Sequence, residues 1–331
     1  MILAGDIGGT KTVLAFYENL GAEVRQCHLT SYPSGKFSTF QEILIDFLKK
    51  NQQPKIDFAC FGVAGPVVEG KCQTTNLPWK LDESELAEQL GILGVKLLND
   101  LEAAAFGMLF LKPEEQYVLN PASTGSGKAN AVVIAAGTGL GEAILYWDGN
   151  QYHPIASEGG HADFAPQTDQ EIELLQYLRT IYGHVSYERI LSGPGLFNIY
   201  KFLRSIDFAT EPKWLQEALS KNDPSAVIGE AGVTGKDPTC VEALKLFISI
   251  YGAEAGNLAL KCNAIGGIYI GGGIAPKILA LMKSGLFMDS FIDKGRFGAM
   301  LKQAPVVISL DSQTPLSGAA QFARRLMDEK V

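Results

Sequence analysis

The sequence lacks several features that would place it in a common class of protein. None of its five cysteines belongs to a CxxC pair, which argues against a disulfide framework and against a thiolate zinc site. No apolar run approaches the roughly 18 residues of a membrane-spanning helix. A net charge of −8 argues against a nucleic-acid-binding protein, because a phosphate backbone needs clustered lysine and arginine side chains.

Common nucleotide-binding motifs are also missing. No GxxxxGK[ST] sequence occurs, because Lys128 is followed by alanine and Lys236 by aspartate. The glycine run that starts at Gly137 has Glu142 where a dinucleotide fingerprint needs its third glycine. The N-terminal sequence MILAGD has no basic segment before an apolar one, so we predict no secretory signal and a cytoplasmic protein.

What the sequence does contain is 36 glycines, many of them between apolar segments. Residues 2–17 read as two strands joined by a glycine turn at residues 7–10, which is typical of a hairpin. The pattern returns at residues 131–147, around Gly137–Gly141. The repeat indicates either an internal duplication about 130 residues apart or a chance likeness between two glycine hairpins.

Strands alternate with helices along the rest of the chain, which predicts an α/β protein with mixed sheets. We expect helices at residues 38–50, 101–110, 240–261 and 315–327, and strands at residues 57–63, 95–98, 267–270 and 306–310. A further helix is expected to open near Pro276, after the Gly271–Gly273 turn.

The first glycine turn has the properties of a phosphate site. Its glycines let backbone N–H groups approach anionic oxygens, Thr10 adds a hydroxyl, and Asp6 could hold a metal ion directly or through water. The alternative is a tight hairpin turn without a ligand. A second such turn at Gly137–Gly139 and the turn at Gly271–Gly273 favour a triphosphate nucleotide.

Polar residues that could bind a second substrate follow other elements. Asn99 and Asp100 stand where a strand ends and a helix begins, either as a helix cap or as a ligand site. Glu158, His161 and Glu188 are each either solvated charges or functional groups. Their presence together with three phosphate-like turns favours function.

Seven blocks resemble, in order, the bacterial glucokinases of the hexokinase group. They are GDIGGTKT, TNLPW, LNDLEAAAFG, AAGTGLGEA, SEGGHADFAPQ, GHVSYERILSGPGL and IYIGGGIAPKIL. The resemblance implies a two-domain actin-like ATPase fold (ribonuclease H-like), with mixed sheets flanked by helices and a cleft between domains. We expect a small α/β domain at residues 1–110 plus 304–331 and a large α/β domain at residues 111–303.

The same resemblance implies that ATP and Mg²⁺ serve the phosphorylation of glucose at its 6-hydroxyl, with Asp100 as the catalytic base. The implied sugar-binding residues are Asn76, Asn99, Asp100, Glu158, His161 and Glu188. The implied nucleotide-binding residues are Gly5, Asp6, Ile7, Gly8, Gly9, Thr10, Gly137, Thr138, Gly139, Gly272 and Gly273, with Asp6 meeting Mg²⁺ through water.

The alternatives are a kinase for mannose, fructose or an N-acetylhexosamine, a non-catalytic sugar sensor, and an actin- or Hsp70-like ATPase. The related repressor and kinase family carries a cysteine-rich zinc cluster after its histidine, whereas no cysteine lies between Cys72 and Cys240 here. We therefore expect no structural zinc and a sugar contact at His161. Partners are expected to be glucose and ATP, with no nucleic acid or membrane, in a homodimer.

Overall fold

The computed structural model describes residues 1–21, 23–52, 54–121 and 128–329. The chain divides into two compact units. The first comprises the described parts of residues 1–112, 152–156 and 311–331, and the second comprises those of residues 113–151 and 157–310.

Strands and helices alternate along the described chain. The strands are β1 (Ile2–Ile7), β2 (Lys11–Asn19), β3 (Val24–Pro33), β4 (Phe58–Val63), β5 (Val67–Val68), β6 (Lys71–Gln73), β7 (Lys80–Asp82), β8 (Val95–Asn99), β9 (Gln116–Asn120), β10 (Ala131–Ala136), β11 (Leu140–Trp147), β12 (Tyr152–Ser157), β13 (Gly267–Gly271) and β14 (Val306–Ser309). The α-helices are α1 (Phe40–Lys50), α2 (Glu83–Leu90), α3 (Asp100–Met108), α4 (Asp169–Tyr182), α5 (Gly193–Ser205), α6 (Lys213–Lys221), α7 (Pro224–Val233), α8 (Pro238–Cys262), α9 (Leu279–Met282), α10 (Leu286–Ile292), α11 (Gly298–Leu301) and α12 (Thr314–Asp328).

The first unit is built on a five-stranded sheet in the order β3-β2-β1-β4-β8. Strand β1 pairs antiparallel with β2 and parallel with β4, which is in turn parallel to β8. Side chains alternate between its two faces. Leu3 packs in a cluster with Phe40 of α1, whereas Ala4 packs in a second cluster with Phe106 of α3 and Phe322 of α12. The sheet is therefore covered on both faces.

Helices α3 and α12 approach each other very closely. A Cβ atom built on Gly318 would lie 1.9 Å from the carbonyl oxygen of Ala103, and one built on Gly107 would lie 2.2 Å from that of Thr314. Only glycine fits at these two positions, because any side chain would overlap the facing backbone. The close approach fixes α3, which carries Asp100 at its first turn.

The strands of the second unit follow the order β11-β10-β13-β14-β9. Strand β10 pairs antiparallel with β11 and parallel with β13, and β13 is parallel to β14. The 25-residue helix α8 packs on this sheet. Its buried Tyr251 donates a hydrogen bond from the hydroxyl to Ile134 O at 3.1 Å and accepts one from Ala136 N at 3.2 Å. These bonds secure the end of β10, next to the second glycine turn.

Both units contain the same arrangement of four strands. In the order β2-β1-β4-β8 and in the order β11-β10-β13-β14, an antiparallel hairpin with a glycine turn is followed by two parallel strands. The repeated hairpin that the sequence predicts is thus part of a longer repeat of topology. A common ancestor for the two halves stays a prediction.

Two expectations differ from the structure. The helix expected near Pro276 starts only at Leu279 and has four residues, because residues 274–278 form turns. Strand β14 pairs with β13 of the second unit, whereas the predicted boundary places residues 304–310 in the first. Residues 152–156 belong to the first unit, where Arg325 Nη1 donates to Tyr152 O at 2.7 Å.

No helix in the described part of the chain has the length and apolar character needed to cross a membrane.

Candidate active site

The first glycine turn connects β1 to β2 and is supported by a buried serine. Gly8 N donates to Lys11 O at 3.0 Å, which closes the turn. Ser34, which is fully buried, donates from Oγ to Gly8 O at 2.7 Å and from its backbone N to Thr10 O at 3.0 Å. Its hydroxyl also lies 2.9 Å from Thr12 Oγ1. We did not predict a role for Ser34, because it is 26 residues from Gly8 along the chain.

The structure brings Asn76 to this turn. A Cβ atom built on Gly9 would lie 2.8 Å from Cβ of Asn76, so the exposed Asn76 side chain covers Gly9. Gly5 has a different neighbourhood, since a Cβ atom there would lie 2.7 Å from both Leu14 and Phe61. Packing inside the sheet explains why Gly5 has no side chain. The turn itself consists of Gly8, Gly9 and Thr10.

Asp6 lies one residue before the end of β1 and is partly buried. Burial raises the pKa of its carboxyl group above the ordinary value, and the positive charge of Lys11 opposes that rise. A cation next to Asp6 would favour the ionised form in the same way.

Gly62 connects Asp6 with Asp100. In the parallel pairing of β1 with β4, Asp6 is opposite Gly62. A Cβ atom built on Gly62 would lie 2.9 Å from Cβ of Ala103 and 3.7 Å from Cα of Asp100. The first turn of α3 therefore rests on the strand next to Asp6. Gly62 is a site residue that we did not predict, because only the fold shows what its missing side chain makes room for.

Asn99 acts as a helix cap. Its Oδ1 accepts from Leu101 N at 2.9 Å, and its backbone N donates to Glu102 Oε2 at 2.9 Å, which completes a capping box. Its Nδ2 donates to Gly65 O at 3.1 Å. The cap interpretation is therefore confirmed for Asn99, and a sugar contact there stays a prediction. Asp100 is partly buried and its Oδ1 accepts from Leu101 N at 2.9 Å.

The second glycine turn has Glu188 as its neighbour. Gly137 N donates to Gly139 O at 2.8 Å, and Leu140 N donates to Glu188 Oε2 at 3.0 Å. A Cβ atom built on Gly139 would lie 2.5 Å from the same carboxylate oxygen. Gly193 N, at the start of α5, donates to Gly137 O at 2.8 Å. Glu188, predicted as a sugar residue, thus also holds the phosphate-like turn.

The third turn lies beside the second. Gly272 has a positive φ of 79°, and a Cβ atom there would lie 2.2 Å from Ala136 O, directly before Gly137. Ile274 N also donates to Ala136 O at 3.3 Å. A side chain at position 272 would force these two segments apart. The structure therefore brings Gly137–Gly139 and Gly272–Gly273 together.

A cavity of about 390 Å³ lies next to these turns in the second unit. Its lining residues are Leu196 of α5, Ser225, Ala226, Gly229, Glu230 and Val233 of α7, Thr234, and Ile274, Lys277 and Ile278 after the third turn. Ser225 Oγ would lie 3.2 Å from a Cβ atom on Gly193, the residue bonded to Gly137. Apolar walls with a few polar groups and this volume are typical of a small-molecule pocket.

Glu158 precedes a single turn of 3-10 helix, Gly159–His161, and His161 is the last residue of that turn. His161 N donates to Glu158 O at 2.9 Å, and both side chains are exposed. Within the described ranges, no three His, Cys, Asp or Glu side chains lie close enough together to form a metal site by themselves.

The sequence is similar to known proteins over almost its whole length. The sequence model of the glucokinase family matches residues 3–326. A glucokinase from Nostoc sp. is 44% identical over 341 aligned positions, which cover 98% of this chain and 99% of that protein.

Solved structures give the same result. A crystal structure of a glucokinase from an Antarctic psychrotroph superposes with a TM-score of 0.86 at 31% identity, covering 98% of both chains. A ROK family glucokinase from Streptomyces griseus, solved with glucose and AMPPNP, superposes at 0.64 with 21% identity over 98% and 99% of the chains, a likeness of fold. The predicted actin-like ATPase fold is thereby confirmed. With its family model matched over residues 3–326, the chain belongs to the glucokinase family, whose members are ATP-dependent hexokinases.

Proposed function

We propose that this protein transfers the γ-phosphoryl group of ATP to the 6-hydroxyl of glucose, giving glucose 6-phosphate and ADP. Membership of the glucokinase family supports the reaction. The observation that carries the mechanism is the position of Asp100 over Gly62, on the strand next to Asp6 and the first glycine turn.

Asp100 is the general base of this proposal. It opens α3 at the carboxyl end of β8, the end of a parallel strand at which α/β proteins bind their ligands. Its carboxylate accepts the proton of the 6-hydroxyl while the hydroxyl oxygen forms a bond to the γ-phosphorus and the bond from that phosphorus to the leaving ADP oxygen breaks. Proton acceptance of this kind contributes about 10² to 10⁴ in rate.

The remaining hydroxyls of the sugar are assigned to Asn76, Asn99, Glu158, His161 and Glu188. These side chains offer both donors and acceptors, as a pyranose requires. Sugar binding would bury these groups, and a buried polar group without a partner is costly. A site built from them therefore rejects a sugar that leaves one of them unpaired.

The nucleotide is assigned to the glycine turns and to the cavity beside them. The backbone N–H groups of Gly9, Thr10, Thr138 and Gly139 suit phosphate oxygens, whereas those of Gly8 and Gly137 close their own turns. The cavity is roomy and apolar enough for a purine ring, and Gly272 and Gly273 adjoin it through Ile274.

The residues present fit a magnesium ion. Mg²⁺ keeps several waters and takes one or two carboxylates together with substrate phosphates, so a single partly buried carboxylate at Asp6 is sufficient. When bound, the ion neutralises charge on the phosphates. Asp6 would hold it, directly or through water.

The test is Asp100→Asn, which keeps the size of the side chain and its oxygen acceptor toward Leu101 N. We expect kcat to fall by about 10² to 10⁴, with the glucose Kd from calorimetry changing only about threefold. ADP release should be measured with glucose, mannose, fructose and N-acetylglucosamine. Glu217→Gln, at an exposed carboxylate on α6, is the control and should behave as the wild type.

Near-normal turnover of Asp100→Asn would remove Asp100 from the base role. ATP turnover that does not depend on any sugar would refute the kinase function itself. A higher kcat/KM for another hexose than for glucose would replace glucose as the substrate.

We also assign the reaction to the cytoplasm, in keeping with five free cysteines that are scattered over both units. The homodimer stays an expectation, which light scattering of the purified protein would test.

A further inference from the structure

Strand β11 supports the turn that carries Glu158 and His161. The carbonyl oxygen of Leu140 would lie 2.1 Å from a Cβ atom on Gly160, so the two backbones are in direct contact. One pleat further along β11, Glu142 O accepts a hydrogen bond from Ser157 Oγ at 3.0 Å. Ser157 Oγ in turn accepts from Gly159 N at 3.2 Å.

The side chain of Glu142 is part of this support. Glu142 is only 1% exposed, and its Oε2 would lie 2.0 Å from a Cβ atom on Gly159. The carboxyl group is therefore packed directly against the backbone of the turn. Its Oε1 is buried and has no hydrogen-bond partner within the described residues. Glu142 is a large polar residue at a position where packing alone would favour an apolar one.

Helix α8 supplies the charged groups around Glu142. Glu254 is fully buried, with Oε2 accepting from Asn257 Nδ2 at 2.8 Å and Oε1 lying 3.4 Å from Lys261 Nζ. The titratable and charged groups that face Glu142 or Glu254 are Tyr187, Tyr251, Glu254, Lys261, Cys262 and Lys294. Two buried carboxyl groups thus lie near two lysines, the exposed Lys261 and the partly buried Lys294.

We propose that Glu142 is a positioning residue of the sugar site, which holds the turn at Gly159 and thereby sets the places of Glu158 and His161. The inference rests on the proposed function, because that function assigns Glu158 and His161 to the sugar. Glu142 does not touch the substrate in this role and acts only through the turn.

Glu142 holds the turn when its carboxyl group is protonated and therefore neutral. Burial, followed by the negative charge of Glu254, raises the pKa of Glu142 to about 7, and Lys261 opposes the rise. An ionised Glu142 would leave a buried charge with an unpaired oxygen beside Glu254, which is relieved when the side chain moves away from Gly159 toward water. Sugar binding should therefore weaken as pH rises above 7.

The experiment compares the wild type with Glu142→Gln, which has the same size and no charge. The KM for glucose, the KM for ATP and kcat are measured by ADP release from about pH 6 to about pH 9. If only the neutral form binds sugar, the wild-type KM for glucose rises about tenfold between pH 6 and pH 8. In Glu142→Gln it should change less than about twofold over that range, with the KM for ATP similar in both proteins.

A second variant tests whether the charge of Glu254 contributes to the raised pKa of Glu142. Glu254→Gln removes the like charge next to Glu142, so the rise in the glucose KM should start at a lower pH than in the wild type.

The proposal is overturned if Glu142→Gln keeps the wild-type pH profile, or if its KM for ATP changes as much as its KM for glucose. Both results require a wild type that phosphorylates glucose, so they are distinct from failure of the proposed function. A wild type without sugar-dependent turnover would refute the function and this role together.

Discussion

Cα of Asp100 lies 3.7 Å from the position that a Cβ atom on Gly62 would occupy. This contact places the first turn of α3 against the strand that adjoins Asp6. The rate of phosphoryl transfer depends strongly on how a base is held relative to the reacting oxygen, so a change at Gly62 should act on catalysis without touching a ligand.

Gly62→Ala is expected to displace α3, because its methyl group would lie 2.9 Å from Cβ of Ala103, an atom that cannot rotate away. We predict a loss of kcat of at least about tenfold and about 1–3 kcal/mol of destabilisation from overpacking. Steady-state kinetics and urea unfolding measure the two effects. Gly35→Ala is the matched control, since nothing lies within 4 Å of its Cβ position. Equal kcat in the two variants would contradict the role of Gly62.

Glu188→Ala should affect both substrates. The carboxylate accepts from Leu140 N and lies against Gly139, so its loss loosens the second turn as well as removing a proposed sugar contact. Hydrogen bonds to charged groups are worth about 1.5–3 kcal/mol, which corresponds to a rise of about 10- to 150-fold in the KM for glucose. The KM for ATP should rise with it, and Glu188→Gln should be intermediate. A rise in the KM for only one substrate would show that Glu188 has only one of these two roles.

Gly229→Leu should block the cavity beside the third turn. Gly229 lies in α7, lines the cavity and has nothing within 4 Å of its Cβ position, so a leucine side chain would enter the empty space. We predict a rise of at least about tenfold in the KM for ATP with an unchanged Kd for glucose. Gly229→Ala is the control, because it raises helix propensity equally and fills little of the cavity. An unchanged KM for ATP in the leucine variant would show that the nucleotide does not occupy this cavity.

Glu142 should also make stability depend on pH. Its folded pKa of about 7 is above the ordinary 4.5, so between these values the folded state binds a proton that the unfolded state has lost. Stability of the wild type therefore falls as pH rises from 4.5 to 7 and then levels off. Relative to the wild type, Glu142→Gln should gain about 3 kcal/mol over that interval.

Urea unfolding at several pH values, followed by circular dichroism, measures this difference. Glu217→Gln, which removes an exposed carboxylate, should run parallel to the wild type at every pH. A constant difference between Glu142→Gln and the wild type would mean that the pKa of Glu142 is the same in the folded and unfolded proteins.

Sequence patterns predicted those parts of the molecule that are determined by residues close together along the chain. The hairpin around Gly8–Gly9, the helix after Asn99 and the long helix α8 follow from apolar spacing, turn residues and caps, and the structure confirms them. Strand β14 shows the limit, because its four residues do not indicate which sheet they will join. Pairing with β13 decides that, and it depends on the whole fold.

The sequence predicted which residues belong to the site, but it did not predict the contacts that hold them in place. The sequence pointed to Asp100, Asn76 and Glu188, but the residues that hold them are far away along the chain. Gly62 makes room for α3 and Ser34 secures the first turn, and nothing in their local sequence indicates either contact. Glu142 was noted only as a departure from a dinucleotide motif, and its burial became visible with the structure.

The last helix of the chain completes the first unit. Strands β1, β4 and β8 leave the ribosome about 200 to 300 residues before α12, the helix that packs on Ala4 and Phe106. At typical rates of synthesis this delay is about 10–60 s. During that time this apolar face of the nascent sheet has only α3 and lacks the cover that α12 supplies, while the second unit can already fold. Newly made chains should therefore depend on chaperones through their N-terminal half.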